Sequence, residues 1–270
     1  MTWDESLWGG GLAGSVPGPA ALPSLDGRVV GAARAFNRLL RRYHPVRFDG
    51  LERLPSGPVL LVGNHGRMGY ETMLFFDALL EHTGRHPRGL ADRWFFRVPG
   101  IRDALVRMGG IRGDRESAHQ ALGQGHLVVC YPGGAREVLK AGGSYRLLWE
   151  QSQGFVRVAL RAGVPIVPFA AAGVDDTYDA VGVLRGSGAL MMGHDKYDLP
   201  ILRGRGPLPR AVPFWFRLGE PITVTGAVDD EASVGRQHRS IWGQAQGLLD
   251  GLVAEWRAAH GPGGAAGANG

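Results

Sequence analysis

The sequence is short of several things, and each shortage excludes something. It has one cysteine, Cys130, in 270 residues, which rules out an internal disulfide and fits a reducing compartment. Lysine occurs only at Lys140 and Lys196, and every other basic side chain is arginine. With 44 glycines and abundant alanine, that usage reads as the coding bias of a high-GC genome. It weakens the net charge of +5 as a sign of an anionic partner, and no nucleic-acid partner is expected. No run of about 18 apolar residues occurs, so no membrane-spanning helix is expected. The start of the chain, with Asp4 and Glu5, lacks a signal-peptide core, and a cytoplasmic protein is expected. There is no internal repeat, P-loop or dinucleotide fingerprint. There is also no Gly-x-Ser-x-Gly elbow, which speaks against a serine hydrolase.

What is present suffices for a sizeable core, since 44% of the residues are hydrophobic. Strand-like and helix-like segments alternate. That alternation predicts a single α/β domain with a central mixed or largely parallel sheet flanked by helices, its site at the strand ends. The domain is placed at residues 26–260. Residues 1–25 read as a flexible tail and residues 261–270 as a disordered one. Trp3 and Trp8 in the first tail suit docking on the domain or contact with lipid. Residues 28–43 read as an amphipathic helix with an apolar stripe of Val29, Ala33, Phe36, Leu40 and Tyr43. Arg34, Arg38, Arg41 and Arg42 give it a basic face. Two readings stay open for it: a surface helix packed on the core with its charged face solvated, or a helix lying on an anionic membrane.

Further along, Trp94-Phe95-Phe96 reads as core packing more readily than lipid contact. Asp114 is placed to cap a helix from Arg115 to Leu122. A helix is expected from Arg146 to Ala162, and another through Ile241 to Trp256. Asp175, Asp176 and Asp179 read as solvated carboxylates at a helix start. Residues 182–213 read as an irregular excursion over the site mouth, a lid or a lipid contact. No metal site is expected: His82 and His86 are spaced i, i+4 but fall at a loop.

Two stretches carry chemistry. Asn64-His65-Gly66-Arg67-Met68-Gly69-Tyr70-Glu71 follows a buried strand and precedes a helix. His65 and Glu71 stand six positions apart, about 240° around a straight helix. They meet only if His65 lies in the loop and Gly66 and Gly69 let the chain fold back. A helix start favours Glu71 as an anion and disfavours a charged imidazole. That suits a neutral histidine acting as general base, held in one tautomer by a carboxylate; the same pair also fits a plain hydrogen-bonded turn. The second stretch, Pro132-Gly133-Gly134-Ala135-Arg136-Glu137, follows a strand over 126–131, on which Cys130 is a small core hydrophobe. Gly133 and Gly134 allow backbone amides to approach an anion or a developing oxyanion. Arg136 offers a planar cation for phosphate or carboxylate. Between the two stretches, Arg112 and Arg115 form a pair suited either to an anionic ligand or to a solvated loop.

Taken in order, these blocks resemble the glycerolipid acyltransferase superfamily. Its usual first motif is Asn-His, four residues, then Asp. Here Asn64-His65 is followed by Tyr70 at the Asp position and Glu71 one step on. That spacing is similar to the diacylglycerol-acyltransferase-like branch, which includes the plant phytyl ester synthase type. Tyr131 to Glu137 resembles that branch's Pro-Gly-Gly-x-x-Glu motif, whereas the lysophosphatidic branch carries Glu where Gly133 stands. Gly110 to Arg115, Val164 to Pro168 and Gly219 to Ile222 resemble further blocks, and the resemblance covers about residues 45–258.

The resemblance implies transfer of a fatty acyl group from an acyl thioester to a hydroxyl of a glycerolipid or other lipid alcohol. The thioester would be a co-substrate, acyl-CoA or acyl carrier protein, with no other cofactor. It implies His65 as the base and Glu71 as its carboxylate partner. It places Asn64, Arg112, Arg115, Gly133, Gly134, Arg136 and Glu137 around the substrates: the glycine amides for the oxyanion, the arginines for phosphate or pantetheine-linked groups, and Glu137 for the acceptor or Arg136. The missing acid at Gly133 points to a neutral acceptor such as diacylglycerol or a long-chain alcohol. A lipid substrate implies a peripheral protein on the inner face of the plasma membrane. Two other classes stay open: a lipid ester hydrolase using the same base, and a non-catalytic lipid binder on the same fold.

Overall fold

The computed structural model describes residues 22, 24–140, 145–206 and 208–261. Trp3, Trp8 and nearly all of the two tails lie outside the described residues. Val59–Gly63 (β2) is buried at every position, as are Leu127–Cys130 (β5) and Ile166–Ala172 (β6). Continuous apolar runs of this kind are what a strand covered on both faces requires. These three lie side by side, and β2 pairs in parallel with both neighbours. The sheet has seven strands, with Val46–Asp49 (β1), Arg88–Ala91 (β3), Gly110–Arg112 (β4) and Phe214–Leu218 (β9) completing it in the order β1-β9-β6-β2-β5-β3-β4. Only the β6–β9 pairing is antiparallel, and β1 runs parallel to β9, so the sheet is mixed.

Helices flank it: Gly27–Tyr43 (α1), Glu71–Thr83 (α2), Ile101–Arg107 (α3), Arg115–Gly123 (α4), the single turn Ala135–Val138 (α5), Gly154–Ala162 (α6) and Glu231–His260 (α8). Asp114 caps α4 by accepting a bond from the Ser117 amide at 2.8 Å. Phe75 of α2 stacks on Phe169 of β6 and Phe216 of β9. On α8 the buried residues Val234, His238, Ile241, Ala245, Leu249, Leu252 and Trp256 follow a helical stripe. A separate two-stranded hairpin is formed by Asp179–Leu184 (β7) and Leu199–Arg203 (β8), which enclose the short helix Ser187–Met192 (α7).

Four expectations are corrected. The helix expected from Arg146 begins only at Gly154. Residues 145–149 are neither helix nor strand, with Tyr145, Leu147 and Trp149 buried alternately. Distant side chains bind this backbone: Gln246 at Tyr145 and Leu147, Glu137 at the Leu148 amide, and His238 at the Trp149 carbonyl. The 182–213 excursion is largely the ordered hairpin. Trp94, Phe95 and Phe96 do not enter the core; Phe95 is exposed and packs edge-to-face against Trp94. On α1, the apolar stripe faces inward only in part: Leu40 packs on the core and Val29, Ala33 and Tyr43 are half-buried, but polar side chains share that face. Arg34 and Arg41 bind Asp77 and Glu81 of α2, and buried Asn37 donates to the Met73 carbonyl at 3.0 Å. Phe36 and Leu39 are left exposed.

Candidate active site

The loops that follow β2, β5 and β6 all leave the same edge of the sheet, because these strands are parallel. The first loop begins with Asn64, which is buried. Its side chain donates to the Ala171 carbonyl and accepts from the Ala171 amide. It thus extends the β2–β6 ladder by one residue and holds His65 at the strand end, rather than facing a substrate. The chain then folds back. Met68 and Gly69 both adopt left-handed backbone, φ +68° and +74°, and a side chain at Gly69 would sit 2.8 Å from the His65 ring. Met68 in that conformation is strained, as residues at functional loops often are. Gly66 is required for space: a Cβ there would lie 2.7 Å from Val174 and 2.9 Å from the Glu71 carboxylate.

The fold-back brings His65 Nδ1 to 2.7 Å from Glu71 Oε1, and the Gly66 amide donates to the same oxygen at 2.9 Å. A carboxylate only accepts, so Nδ1 carries the proton and Nε2 carries the lone pair. Nε2 has no partner among the described residues, and the imidazole is 17% exposed, so an incoming hydroxyl can reach it. Glu71, at the first position of α2, is buried. The Tyr131 ring stacks on the imidazole at 3.9 Å, and Thr72 donates to the Tyr131 hydroxyl at 2.9 Å. Tyr70 points the other way. The His44 Nδ1–H donates to the Val212 carbonyl, which leaves Nε2 to accept from the Tyr70 hydroxyl at 3.1 Å. The tyrosine at this position is therefore an anchor to buried His44, whose pKa is lowered by burial.

Residues 45–172 match the family model named Acyltransferase. The human "DGAT1/2-independent enzyme synthesizing storage lipids" is 30% identical over 209 residues, covering 77% of this chain and 62% of that protein. "Phytyl ester synthase 2, chloroplastic" from Arabidopsis thaliana is 35% identical over 164 residues, covering 57% of this chain and 22% of that one. The chain thus spans at most about three-fifths of these relatives. In fold it is similar to the crystal structure of a 1-acyl-sn-glycerophosphate acyltransferase, PlsC, from Thermotoga maritima. The TM-score is 0.53 at 15% identity, over 83% of this chain and 80% of that one.

Over residues 45–172 the chain resembles the acyltransferase family.

The remaining blocks of the acyltransferase pattern are placed as follows. Gly133 follows β5, and a Cβ there would lie 2.2 Å from the Glu137 side chain. Gly134 takes φ +52°, but its amide donates to the Tyr131 carbonyl at 2.9 Å. It is therefore engaged in the turn, which leaves Gly133 as the glycine whose amide has no acceptor among the described residues. The helix after them, α5, is one turn long, too short to supply a macrodipole. Arg136 donates to the Leu148 carbonyl at 2.5 Å. Arg112 and Arg115 lie at β4 and the start of α4, and Arg112 pairs with Asp114. β4 is three strands from β2, about 14 Å at ordinary strand spacing, so these arginines do not join His65.

Glu137 is fully buried and touches neither solvent nor Arg136. One oxygen accepts from the His65 amide at 2.8 Å and the other from the Leu148 amide at 2.9 Å. It braces the His65 loop against the 145–150 segment, a role no sequence spacing announces. Burial pushes its pKa up, partly offset by these two amides. An upward shift contributes stability below the ordinary carboxylate range, and that contribution is lost as pH rises through the raised value. Glu137→Gln retains one acceptor for two amides. It is expected to lower unfolding stability by about 1–3 kcal/mol and to flatten this pH dependence, read by denaturant titration across pH. Unchanged stability would remove the brace.

Asp175, Asp176 and Asp179 do not start a helix, and of the three only Asp179 is well solvated, its side chain 47% exposed. Asp175 is buried against Lys140 and Arg67, Asp176 accepts from the Tyr145 hydroxyl, and Asp179 forms a two-bond pair with Arg210. Among the described residues, no group of three or more His, Cys, Asp or Glu stands close enough to hold a metal ion.

Proposed function

We propose that this chain transfers a fatty acyl group from an acyl thioester to the hydroxyl of a lipid alcohol. The observation that carries the reading is the reachable Nε2 of His65, its lone pair fixed outward by the Nδ1–H bond to Glu71. His65 takes the acceptor's hydroxyl proton as the oxygen attacks the thioester carbon. The tetrahedral intermediate collapses with loss of the thiolate, which receives that proton from the imidazolium. Buried Glu71 stabilises the imidazolium between these steps. The Gly133 amide is the donor available to the oxyanion. No covalent enzyme intermediate is needed, and the thioester, on coenzyme A or carrier protein, is a co-substrate. Arg112 and Arg115, distant from His65, suit a remote phosphate of the donor, and Arg136 its nearer polar groups.

A neutral acceptor, diacylglycerol or a long-chain alcohol, is favoured because the space beside position 133 is filled by Glu137 and admits no second acid. The names of the storage-lipid and phytyl ester relatives support the same class. A lipid acceptor suits work as a peripheral protein on the inner face of the plasma membrane, where anionic headgroups concentrate. The test offers purified protein a labelled long-chain acyl-CoA or acyl carrier protein, with lysophosphatidic acid, diacylglycerol and a fatty alcohol in parallel. Ester with a neutral lipid is expected. Free fatty acid alone would establish a hydrolase instead, and no turnover with either donor a non-catalytic lipid binder.

A further inference from the structure

Tyr131 takes no part in the steps above, yet its ring lies flat on the base. The ring planes of Tyr131 and His65 stand 15° apart, with centroids at 3.9 Å. Neutral aromatic pairs favour offset or edge-to-face arrangements with centroids about 4.5–7 Å apart. A parallel pair this close suits a ring face turned to a cation. His44 also stacks in parallel, on Phe214 at 4.3 Å, but it is fully buried and both its nitrogens are bonded. His44 therefore has no proton to gain. His65 has its Nε2 open, so the imidazole over Tyr131 is the one that can change charge.

The Tyr131 ring is fixed from three sides. It follows directly on β5, and the Gly134 amide donates to its carbonyl at 2.9 Å. Phe169 of β6 meets it edge to face at 5.6 Å. Thr72 donates to its hydroxyl at 2.9 Å. Thr72 stands next to Glu71 in the first turn of α2. That turn holds the imidazole through one residue and the ring stacked on it through the next. A ring held by packing alone needs no hydroxyl tether. Burial, with Glu71 adding to it, pushes the Tyr131 hydroxyl well above its ordinary value. The phenol stays neutral and supplies neither a base nor a ready acid. What it presents to His65 is its π face.

That face carries the negative part of the ring quadrupole. A neutral imidazole gains dispersion from it, and an imidazolium gains an electrostatic attraction as well. The face therefore favours the form His65 takes once Nε2 has received the acceptor's proton. We propose that Tyr131 is a positioning residue of this reaction, whose ring keeps the His65 imidazole in place and stabilises it while it is charged. The inference rests on the acyl-transfer reading. The other charged groups around the base are Glu71 of α2 at Nδ1 and Glu137 of α5 at the His65 amide. Asp175, with Lys140 and Arg67, stands further along the loop. Cys130, beside Tyr131 on β5, is a neutral thiol, pushed up to about 12 by burial and Glu137. All of these groups are kept when residue 131 is changed, so a substitution there reads the ring.

The experiment compares Tyr131→Leu, Tyr131→Phe and Thr72→Val with the wild type, on the donor and acceptor that give most ester. Leucine covers the imidazole but has no π face. Tyr131→Leu should lower kcat about 3–10-fold with little change in KM, and move the acid limb of the kcat/KM profile about 0.5–1 unit to lower pH. The sign follows because losing an interaction with the charged form makes the base harder to protonate. Tyr131→Phe restores the face and should recover most of both effects. Thr72→Val, nearly equal in volume, frees the ring and should fall between; it carries the same test if Tyr131→Leu does not fold. Circular dichroism melting shows which variants are folded. Proton NMR of the His65 ring, assigned by its loss in His65→Ala, follows the same titration without substrate. An acid limb and an NMR titration unmoved in Tyr131→Leu would overturn the proposal, as would a Tyr131→Phe variant that loses as much as Tyr131→Leu. A wild type that makes no ester with any acceptor would overturn acyl transfer instead, and the NMR titration would still show whether the ring stabilises the imidazolium.

Discussion

His65→Ala is expected to reduce ester formation by about 10²–10⁴-fold while leaving the melting temperature close to that of the wild type. The two halves of this expectation have separate causes. The imidazole makes one side-chain hydrogen bond, to Glu71, and stacks on Tyr131. Neither contact holds the sheet together. Glu71 keeps the Gly66 amide as a donor after truncation, and the His65 backbone keeps its bond to Glu137. What is lost is the only lone pair in this loop that faces an incoming hydroxyl. Glu71→Gln sharpens the reading. The amide oxygen still accepts from Nδ1–H, so the tautomer survives, but the negative charge that balances the imidazolium is gone. Its rate loss should lie between wild type and His65→Ala. An alanine variant that retains more than a tenth of wild-type turnover would remove His65 from the chemistry. Retained lipid binding with lost turnover in His65→Ala would separate an enzyme from a lipid carrier on the same fold.

The parts of this structure that sequence shows are those specified by near neighbours. β2 and β5 stand out as continuous apolar runs because a strand covered on both faces needs nothing else. The meeting of His65 with Glu71 is foreseeable because six residues with two glycines leave few ways to fold back. Asp114 announces a helix start because the amide it caps is three positions away. The parts that sequence conceals depend on partners far along the chain. The 145–150 segment has helix-compatible residues, but its backbone is bound outside any helix by Gln246, Glu137 and His238, about a hundred residues away in two of the three cases. On α1 the polar part of the inward face is set by Asp77 and Glu81, roughly forty residues on, which leaves Phe36 of the apolar stripe exposed. Glu137 sits at a motif position where a carboxylate suggests ligand contact. Only the fold shows that both its oxygens are consumed by backbone amides, one of them that of His65.

The largest loss of stability is expected from Asp175→Ala, at about 3–5 kcal/mol. This carboxylate is buried, as is the Arg67 side chain, and Lys140 is nearly so. Lys140 Nζ lies 2.5 Å from one oxygen, and the Arg67 amide donates to the other at 3.2 Å. Burial pushes the Asp175 pKa up, and Lys140 pulls it back down, so the anion depends on the lysine. Removing the carboxylate leaves two cations in a site with little water to solvate them, which costs far more than an exposed ion pair could contribute. For a chain of this size the change corresponds to a fall in melting temperature of about 6–20 °C. Lys140→Met should be milder, because an unpaired carboxyl can take up a proton, whereas a guanidinium cannot lose one. The double variant Lys140→Met/Asp175→Leu should recover part of the loss, and the non-additivity of the three measures the coupling. Additive effects, or an Asp175→Ala variant melting within 2 °C of wild type, would show that the pair bears little of the fold. The consequence reaches the chemistry through the chain itself. The Asp175 side chain holds the Arg67 amide two residues beyond His65, so the variant should also lose turnover in samples kept well below the melting point, where the protein is still folded and the imidazole is no longer held in place.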